Sequence, residues 1–153
     1  TPDVSSAASD VYKRQVLNMT MSGGENYTII HNNNPIKTSK SKFDLDLKKG
    51  INIIKVYAEK ECQGVYEETI FNSENILLSP NPARTSSKLW IGGDDKNVNV
   101  SMFDNAGRLI WTNENNVTRS RSIDIQVSNL RTGLYYVNVE SETVKQTAKL
   151  IKE

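Results

Sequence analysis

Alternation of apolar and polar residues is the dominant pattern of the chain from Val16 onward. In the clearest runs an apolar side chain returns at every second position: Leu17–Met21, Phe43–Leu47, Val98–Met102 and Ile123–Val127. A period of two is typical of a strand with one face in a core and the other in solvent. Turn residues separate the runs, and no long helical period lies between them. The pattern therefore predicts an all-β chain of small antiparallel sandwiches of the immunoglobulin-like type.

Further segments rich in β-branched and aromatic residues extend this prediction. They are Tyr27–Ile30, Ile51–Tyr57, Val65–Phe71, Arg108–Thr112 and Gly133–Glu140, with turns predicted at Asn32–Pro35 and Asp104–Gly107. The last segment, Thr143–Lys152, is ambiguous. Val144, Ala148 and Leu150 fit one face of a strand. Val144, Ala148 and Ile151 also fit one stripe of a helix, but the β-branched residues and the short connection before them favour a final hairpin strand.

A proline-rich break divides the chain. At Pro80-Asn81-Pro82, two prolines remove two backbone donors and restrict the residue before each of them, so that no central strand can run through this point. We therefore expect two small β-sandwich modules in tandem. An immunoglobulin-like module covers residues 16–74, and a second module covers residues 75–153.

The first fifteen residues differ from the rest of the chain. The segment Asp10–Gln15 resembles the translation of a transposase end sequence that serves as a sequencing adapter, and the residues before it are small and polar. It lacks the basic start and apolar centre of a signal peptide. We expect residues 1–15 to be a non-native, adapter-derived or disordered segment, and we expect a passenger region of the same protein upstream of Val16.

Composition and charge exclude several classes of protein. Of the 153 residues, 37% are hydrophobic and 24% are charged, with 19 basic and 18 acidic side chains. The net charge of +1 excludes a strongly basic nucleic-acid binder. No apolar run approaches the roughly 20 residues of a membrane-spanning helix. The single cysteine, Cys62, excludes an intrachain disulfide and a multi-thiolate metal site.

Three groups of residues are candidates for chemistry, and each has a simpler interpretation. Cys62 with the single histidine, His31, is a candidate thiolate dyad, against a separate thiol and a loop histidine. Gly92–Asp95 is a candidate calcium loop, but calcium takes more oxygens than two neighbouring carboxylates provide, and a solvent-facing turn is simpler. The third group is a lysine stripe, either for docking or as a solvated edge that discourages strand pairing: Lys145, Lys149 and Lys152. We predict no catalytic residue, no cofactor and no metal, and a chain that is not an enzyme.

The motifs of the C-terminal half, in their order and spacing, resemble a known family. They are a Pro-Asn-Pro-Ala opening, a Val-x-Val-x-x-Phe-Asp-x-x-Gly-Arg-Leu hairpin, an Ile-x-x-Leu-x-x-Gly-x-Tyr stretch that here begins with Val127, and a lysine-bearing end. The series is similar to the type A C-terminal sorting domain of cargo proteins of the bacterial type IX, or Por, secretion system of Bacteroidetes. Ser79 departs from the family, which usually has an aromatic residue there. The resemblance implies a sorting motif of Pro80, Asn81, Pro82, Asp104, Gly107, Leu130, Gly133, Tyr135, Lys145, Lys149 and Lys152.

Residues 16–74 also resemble the immunoglobulin-like module that often precedes such a domain, on the stretches Gly50–Val56 and Glu61–Glu68. The resemblance implies a cargo protein that reaches the periplasm, crosses the outer membrane and is then secreted or held at the surface. The implied partners are the type IX translocon and a sortase-like peptidase that removes the domain by a cut within Phe71–Leu78.

The alternative interpretation is an adhesion or carbohydrate-binding module, because similar sandwiches bind sugars through exposed aromatic rings. Exposure of Trp90, Trp111 or Tyr57 on one face favours this alternative, whereas burial of the rings favours the sorting domain. Enzyme activity is expected only in the upstream passenger.

Overall fold

The computed structural model describes residues 2–8, 16–59, 64–117 and 121–153. Within these ranges the chain forms fourteen β-strands and no helix. It divides into two compact units, Thr1–Asn72 and Ser73–Glu153, which we call the N-terminal and C-terminal units. Each unit contains a three-stranded and a four-stranded antiparallel sheet. The prediction of an all-β chain with two tandem sandwich modules is confirmed.

Seven strands form the N-terminal unit. They are β1 (Asp3–Ala8), β2 (Val16–Ser22), β3 (Tyr27–His31), β4 (Asn34–Thr38), β5 (Lys42–Asp46), β6 (Gly50–Ala58) and β7 (Val65–Asn72). The sheets have the orders β1-β2-β5 and β4-β3-β6-β7. Alternate residues of these strands fill one core, which includes Leu17, Met19, Met21, Ile29, Leu45, Ile54 and Val56.

The connection between β3 and β4 is shorter than the sequence indicated. Asn32 and Asn33 alone form the turn, with φ values of +48° and +68°, in the manner of a two-residue hairpin loop. The predicted turn at Asn32–Pro35 is therefore wrong in its second half, where Asn34 and Pro35 begin β4. Pro35 is tolerated there because β4 lies at the edge of its sheet, where a missing N–H leaves no ladder bond unmade.

Residues 3–8 form β1, which pairs with β2 from Asp3↔Ser22 to Ala8↔Leu17. These residues take strand structure, in contrast to the expectation of disorder. The adapter-like segment at residues 10–15 lies outside the described residues.

Seven more strands form the C-terminal unit. They are β8 (Leu77–Ser79), β9 (Ser86–Trp90), β10 (Asn97–Asp104), β11 (Leu109–Asn116), β12 (Ser122–Gln126), β13 (Gly133–Glu140) and β14 (Lys145–Lys152). The sheets have the orders β12-β9-β8 and β11-β10-β13-β14. The alternation pattern does not reveal β8 or β9, because β8 has only three residues and β9 begins with two serines.

The core of the C-terminal unit lies between these two sheets. The inward residues of the four-stranded sheet are fully buried, among them Val98, Val100, Met102, Val137, Val139 and Leu150. Trp90 is buried, and Trp111 is partly buried against the same core. These indole rings therefore serve packing in this unit.

The ambiguous terminal segment is a strand. β14 pairs with β13 over eight residue pairs without a register shift. It occupies one edge of the four-stranded sheet. The prediction of a final hairpin strand is confirmed.

Candidate functional site

Motif residues that lie far apart in the sequence meet at one end of the four-stranded sheet of the C-terminal unit. β10 ends at Asp104, which pairs across the ladder with Tyr135 of β13. Tyr135 pairs on its other side with Leu150 of β14, and Gly133 pairs with Lys152. We call this part of the sheet, with its adjoining loops, the motif end. It contains the exposed segment Pro80–Pro82 together with Asp104, Gly107, Leu130, Gly133, Tyr135, Lys149 and Lys152. The remaining motif residue, Lys145, is at the opposite end of β14.

The hairpin after β10 is held by the carboxylate of Asp104. Its Oδ1 accepts hydrogen bonds from the backbone N–H groups of Ala106 at 2.9 Å and Arg108 at 3.0 Å, and its Oδ2 accepts one from Arg108 Nε at 2.7 Å. Gly107 closes the turn by donating to the Asp104 carbonyl oxygen at 3.0 Å. The hydrogen bond from the Arg108 backbone contributes most to a lowered pKa of Asp104, against a smaller opposing effect of desolvation.

Gly133 and Tyr135 shape the entry to β13. Gly133 has a φ of +157° and open space where a Cβ would lie, so the position requires an unusual backbone conformation and not a close approach by another segment. Tyr135 is buried, and its hydroxyl donates to the carbonyl oxygen of Arg131 at 2.7 Å. Leu130 packs partly buried against the core. These contacts attach the loop before β13 to the sheet.

The side chain of Asn81 binds the outer edge of β14. Its Nδ2 donates to the carbonyl oxygen of Lys149 at 2.7 Å, and its Oδ1 accepts from the N–H of Ile151 at 2.9 Å. A carboxamide carries the same donor and acceptor as a peptide group, so Asn81 takes the place of one residue of a neighbouring strand. Ser87 Oγ donates to the carbonyl oxygen of Pro80 at 2.9 Å, which attaches the same segment to β9.

Ala83 continues the closure of this edge. Its N–H donates to the carbonyl oxygen of Ile151 at 2.8 Å, and its own oxygen accepts from the N–H of Glu153 at 3.0 Å. The opening motif and the terminal strand thus form one hydrogen-bonded arrangement, although Asn81 and Lys149 are 68 positions apart. Sequence reasoning recognised both motifs but not their contact, because no local pattern reports a pairing across that distance.

The three lysines near the C-terminus do not form one stripe. Lys145 and Lys149 are exposed on the outer face of the sheet. Lys152 is only 8% exposed, its Nζ donates to the carbonyl oxygen of Glu153, and it forms a parallel bridge with Ala83. Side chains alternate between the two faces of a strand, so positions 145 and 149 share a face from which position 152 is excluded. The stripe interpretation is therefore wrong for Lys152.

The loop after β9 is a hydrogen-bonded corner and not the solvent-facing turn that the sequence suggested. Asp95 Oδ2 accepts from Ser141 Oγ at 2.6 Å, from Thr143 N–H at 2.7 Å and from Thr143 Oγ1 at 2.8 Å. The buried Arg121 donates to the carbonyl oxygens of Gly92, at 3.0 Å, and of Asp95. Desolvation raises the pKa of Asp95, but the hydrogen bonds from Ser141 and Thr143 outweigh it and hold the pKa below the ordinary value.

The second candidate for chemistry also has a structural role in the described chain. His31 ends β3, not a loop as the simpler interpretation had it, and is buried. Its Nε2 lies 2.7 Å from Oδ1 of the fully buried Asn52, which also binds the backbone of Lys48. Cys62, the other member of the candidate dyad, lies outside the described residues. Within the described residues, no group of three or more potential metal ligands occurs.

The segment Ser73–Ile76, which opens the C-terminal unit, is held by a side chain of β14. Gln146 Nε2 donates to the carbonyl oxygen of Glu74 at 3.1 Å and to Asn75 Oδ1 at 3.2 Å. Gln146 Oε1 accepts from the N–H of Ile76 at 2.9 Å. The terminal strand therefore contacts the segment Ser73–Ile76, which we call the linker. Through its outer edge it also contacts the segment Pro80–Pro82.

Gly92 provides the space that this segment occupies. A Cβ at position 92 would lie 2.4 Å from the carbonyl oxygen of Ser73 and 2.6 Å from the carbonyl carbon of Glu74, both backbone atoms. The N–H of Gly93 donates to the same Ser73 oxygen at 3.2 Å. Only glycine at position 92 permits this approach without displacement of the segment.

Residues 78–153 match the sequence model of the family described as the secretion system C-terminal sorting domain. The C-terminal unit is a sorting domain of this family. Its match includes every residue of the motif end. The sorting domain is a type IX secretion signal that directs its cargo protein across the outer membrane to the cell surface or the medium. Its recognition by the type IX machinery follows from this role.

Three solved structures show overall similarity to the chain at low sequence identity. Latent dimeric PorU from Porphyromonas gingivalis has a TM-score of 0.37 and 18% identity over 99% of this chain. The chain spans 20% of that PorU chain. A two-domain fibronectin type III segment of chicken tenascin has a TM-score of 0.38 and 17% identity, with 98% of each chain covered. The BSP domain of a biofilm-associated protein has a TM-score of 0.37 and 12% identity, over 99% of this chain and 29% of its own.

No curated protein matches the chain. Among the described residues there is no helix of the length and apolar character that a membrane span requires.

Proposed function

We propose that the chain is the C-terminal part of a cargo protein, in which an immunoglobulin-like spacer (16–74) precedes the sorting domain (75–153), and that the chain itself catalyses nothing. Its passenger lies upstream. The observation that carries this proposal is the hydrogen-bonded contact of Asn81 with Lys149 and Ile151, which joins the first and last motifs of the family pattern. Because these motifs meet only after folding, we infer that the sorting signal is recognised as a folded domain.

The sorting residues of this proposal are those of the motif end together with Lys145. Most of their side chains serve the fold: Tyr135 and Lys152 are buried, Asp104 holds a hairpin, and Leu130 packs on the core. Lys145 and Lys149 are exposed and remain available for recognition. The motif is thus mainly a set of residues that builds one surface, with the two lysines as its contact groups.

A sortase-like peptidase removes the sorting domain within the linker. Of the expected range, Phe71 is buried in β7 and Leu78 is buried in β8. Only Ser73–Ile76 lies between these strands, and Glu74 and Asn75 are exposed within it. We therefore place the cut between Ser73 and Ile76, after the hydrogen bonds to Gln146 open.

The alternative function, an adhesion or carbohydrate-binding module, has less support. Trp90 is buried with Lys88 Nζ 5.8 Å from its ring centroid, and Trp111 packs on the core. Tyr57 is half-buried in the N-terminal unit. These rings do not provide the open aromatic platform that sugar stacking uses.

Mass spectrometry of the exported protein tests the proposed processing. In a host with the type IX machinery we expect a mature form that ends within residues 73–76, and in a sortase-deficient strain we expect the intact chain. An exported form that retains Lys145 and Lys149 in both strains contradicts removal of the domain. A cut inside β7 or β8 contradicts the position assigned to it.

A further inference from the structure

The outer edge of β14 is closed over its last residues and open over its first ones. The N–H of Ile151 points outward to Asn81, so the backbone groups at alternate positions, Lys145, Thr147 and Lys149, point outward too. Asn81 takes the carbonyl oxygen of Lys149. Within the described ranges, the outward backbone groups of Lys145 and Thr147 have no protein partner. The domain therefore presents a short stretch of unpaired strand edge next to a stretch that it closes itself.

This edge is the longest regular one in the sorting domain. β14 keeps one register with β13 over eight residue pairs. β11, at the other edge of the same sheet, has an irregularity between Met102 and Phe103 in its pairing with β10. The second sheet is bounded by β8 and β12, of three and five residues. Bulges make an edge a poor template for another strand, and β14 has none; its open stretch is short but lies within a strand of eight regularly paired residues.

The side chains on this edge indicate the charge of its partner. Lys145 and Lys149 are exposed on the same face, four positions apart. Antiparallel pairing of β14 with a second copy of itself would bring lysines of both copies together, which is unfavourable. An extended segment with acidic side chains would satisfy both the backbone groups and the two ammonium groups.

We propose that the open half of β14, Lys145 to Thr147, accepts an extended acidic segment of the type IX machinery as an added strand, and that Asn81 sets the limit of this site by occupying the edge from Lys149 onward. The inference rests on the proposed function, because it names the surface through which the sorting domain is read. Backbone pairing provides the docking, and the two lysines select an acidic partner.

Proline at position 147 tests the backbone part of this site. Thr147→Pro removes one outward N–H, while the ladder to β13 keeps its donors at positions 146 and 148. We measure the surface-to-periplasm ratio of an exported reporter that carries the whole chain. A fall of about tenfold is expected, the factor that the loss of one hydrogen bond of about 1.4 kcal/mol gives.

Two controls separate docking from folding and from the lost hydroxyl. Thr147→Val keeps the N–H but removes the hydroxyl that binds Asn138 Oδ1 at 2.9 Å, and we expect normal export. Thr112→Pro is the matched change at the opposite edge of the sheet. Val117 N–H donates to Lys96 O, so Thr112 points its own N–H away from β10, and its variant is expected to export normally. Thermal unfolding of each purified variant verifies the fold.

A charge variant provides a second test that does not depend on proline. Lys145→Glu/Lys149→Glu changes two exposed side chains and is expected to reduce the surface-to-periplasm ratio by at least as much as Thr147→Pro. Wild-type export of the folded Thr147→Pro chain overturns the proposal. If only the charge variant lowers the surface-to-periplasm ratio, the proposal is overturned too. The machinery would then recognise the lysine side chains without pairing with the backbone of β14. A third outcome also overturns the proposal: the wild-type chain forms dimers, and Thr147→Pro abolishes them without changing export. The edge would then bind a second copy of the chain.

Export of the wild-type fusion distinguishes failure of the sorting assignment from failure of the docking edge. If the reporter with the unaltered chain stays in the periplasm, the sorting assignment fails. If that fusion is exported and Thr147→Pro is exported equally, only the docking edge fails.

Discussion

Asn81 shows how one side chain gives a short motif its physical meaning. Its carboxamide donates to one backbone group of β14 and accepts from another, at 2.7 and 2.9 Å. The prolines on either side carry no N–H and have restricted φ, so they favour a segment that ends pairing with β9 and turns toward β14. Aspartate lacks the donor and would oppose the Lys149 carbonyl oxygen with a negative charge. The Pro-Asn-Pro motif is therefore explained by the edge that it closes.

We predict that Asn81→Ala lowers the free energy of unfolding of the sorting domain by about 1–3 kcal/mol, because two hydrogen bonds are lost and two backbone groups of β14 must find water. Asn81→Asp is expected to be at least as destabilising, through repulsion at the Lys149 oxygen. Chemical denaturation of the purified chain measures both changes. Asn129→Ala, at an exposed turn of the same domain, is the matched control and should change stability by less than about 0.5 kcal/mol. Equal stability of the Asn81 and Asn129 variants would contradict the account of the motif.

At the scale of elements, β14 joins the parts of the sorting domain. Its inner side chains enter the core with Leu150 and hold the linker with Gln146, and its outer edge carries Asn81 and Ala83. Truncation of the last residues would remove the fully buried Leu150 as well as any docking group. Point changes at the edge therefore separate recognition from folding better than deletion does.

Release of the linker is expected to make it a better protease substrate. Gln146→Ala removes three hydrogen bonds to the segment Ser73–Ile76, and Gly92→Ala places a methyl group against its backbone. Local opening precedes cleavage, so we predict faster limited proteolysis within the segment for both variants. The rate of appearance of the separated units, followed by gel electrophoresis and mass spectrometry, measures the effect.

The matched control is Gln126→Ala, at an exposed position of β12. It should leave the cleavage rate unchanged. Unchanged rates for Gln146→Ala and Gly92→Ala as well would show that these contacts do not protect the linker.

The elements also show where sequence reasoning succeeded and where it stopped. Alternation revealed β2, β5, β10 and β12 because each has one face in a core, which imposes a period of two. It did not reveal β4, an edge strand that contains Pro35, or β9, in which only Leu89 and Trp90 are large and apolar. Such strands owe their structure to neighbours that a local pattern does not contain.

The candidate site also combines features that the sequence predicted with contacts that it did not. The motif order identified the residues, and the β-branched residues of the last segment indicated a final hairpin strand. Lys152 points inward because side chains alternate between the two faces of β14. It is buried where its backbone forms the bridge with Ala83. The closure by Asn81 and the contact of Gln146 with Ile76 join segments about 70 positions apart. These contacts are tertiary, and no spacing rule along the chain contains them.

At the scale of the whole molecule, each unit has its own core and its own pair of sheets. A sorting domain with a complete core does not need the passenger in order to present its surface. If the motif end and the edge of β14 carry recognition, as we propose, the same domain would serve different cargo proteins.

Export of a reporter with and without the sorting domain is the decisive test of the assignment of residues 73–153 as a type IX sorting signal. One fusion carries the whole chain behind an exported reporter, and the other carries only residues 1–72, so that the N-terminal unit serves as its control. In a host with the type IX machinery, the surface fraction of the reporter is measured by protease accessibility of intact cells. If the C-terminal unit is the sorting signal, the reporter reaches the surface with the whole chain and stays in the periplasm with the shortened one. Equal surface fractions for the two fusions would contradict it.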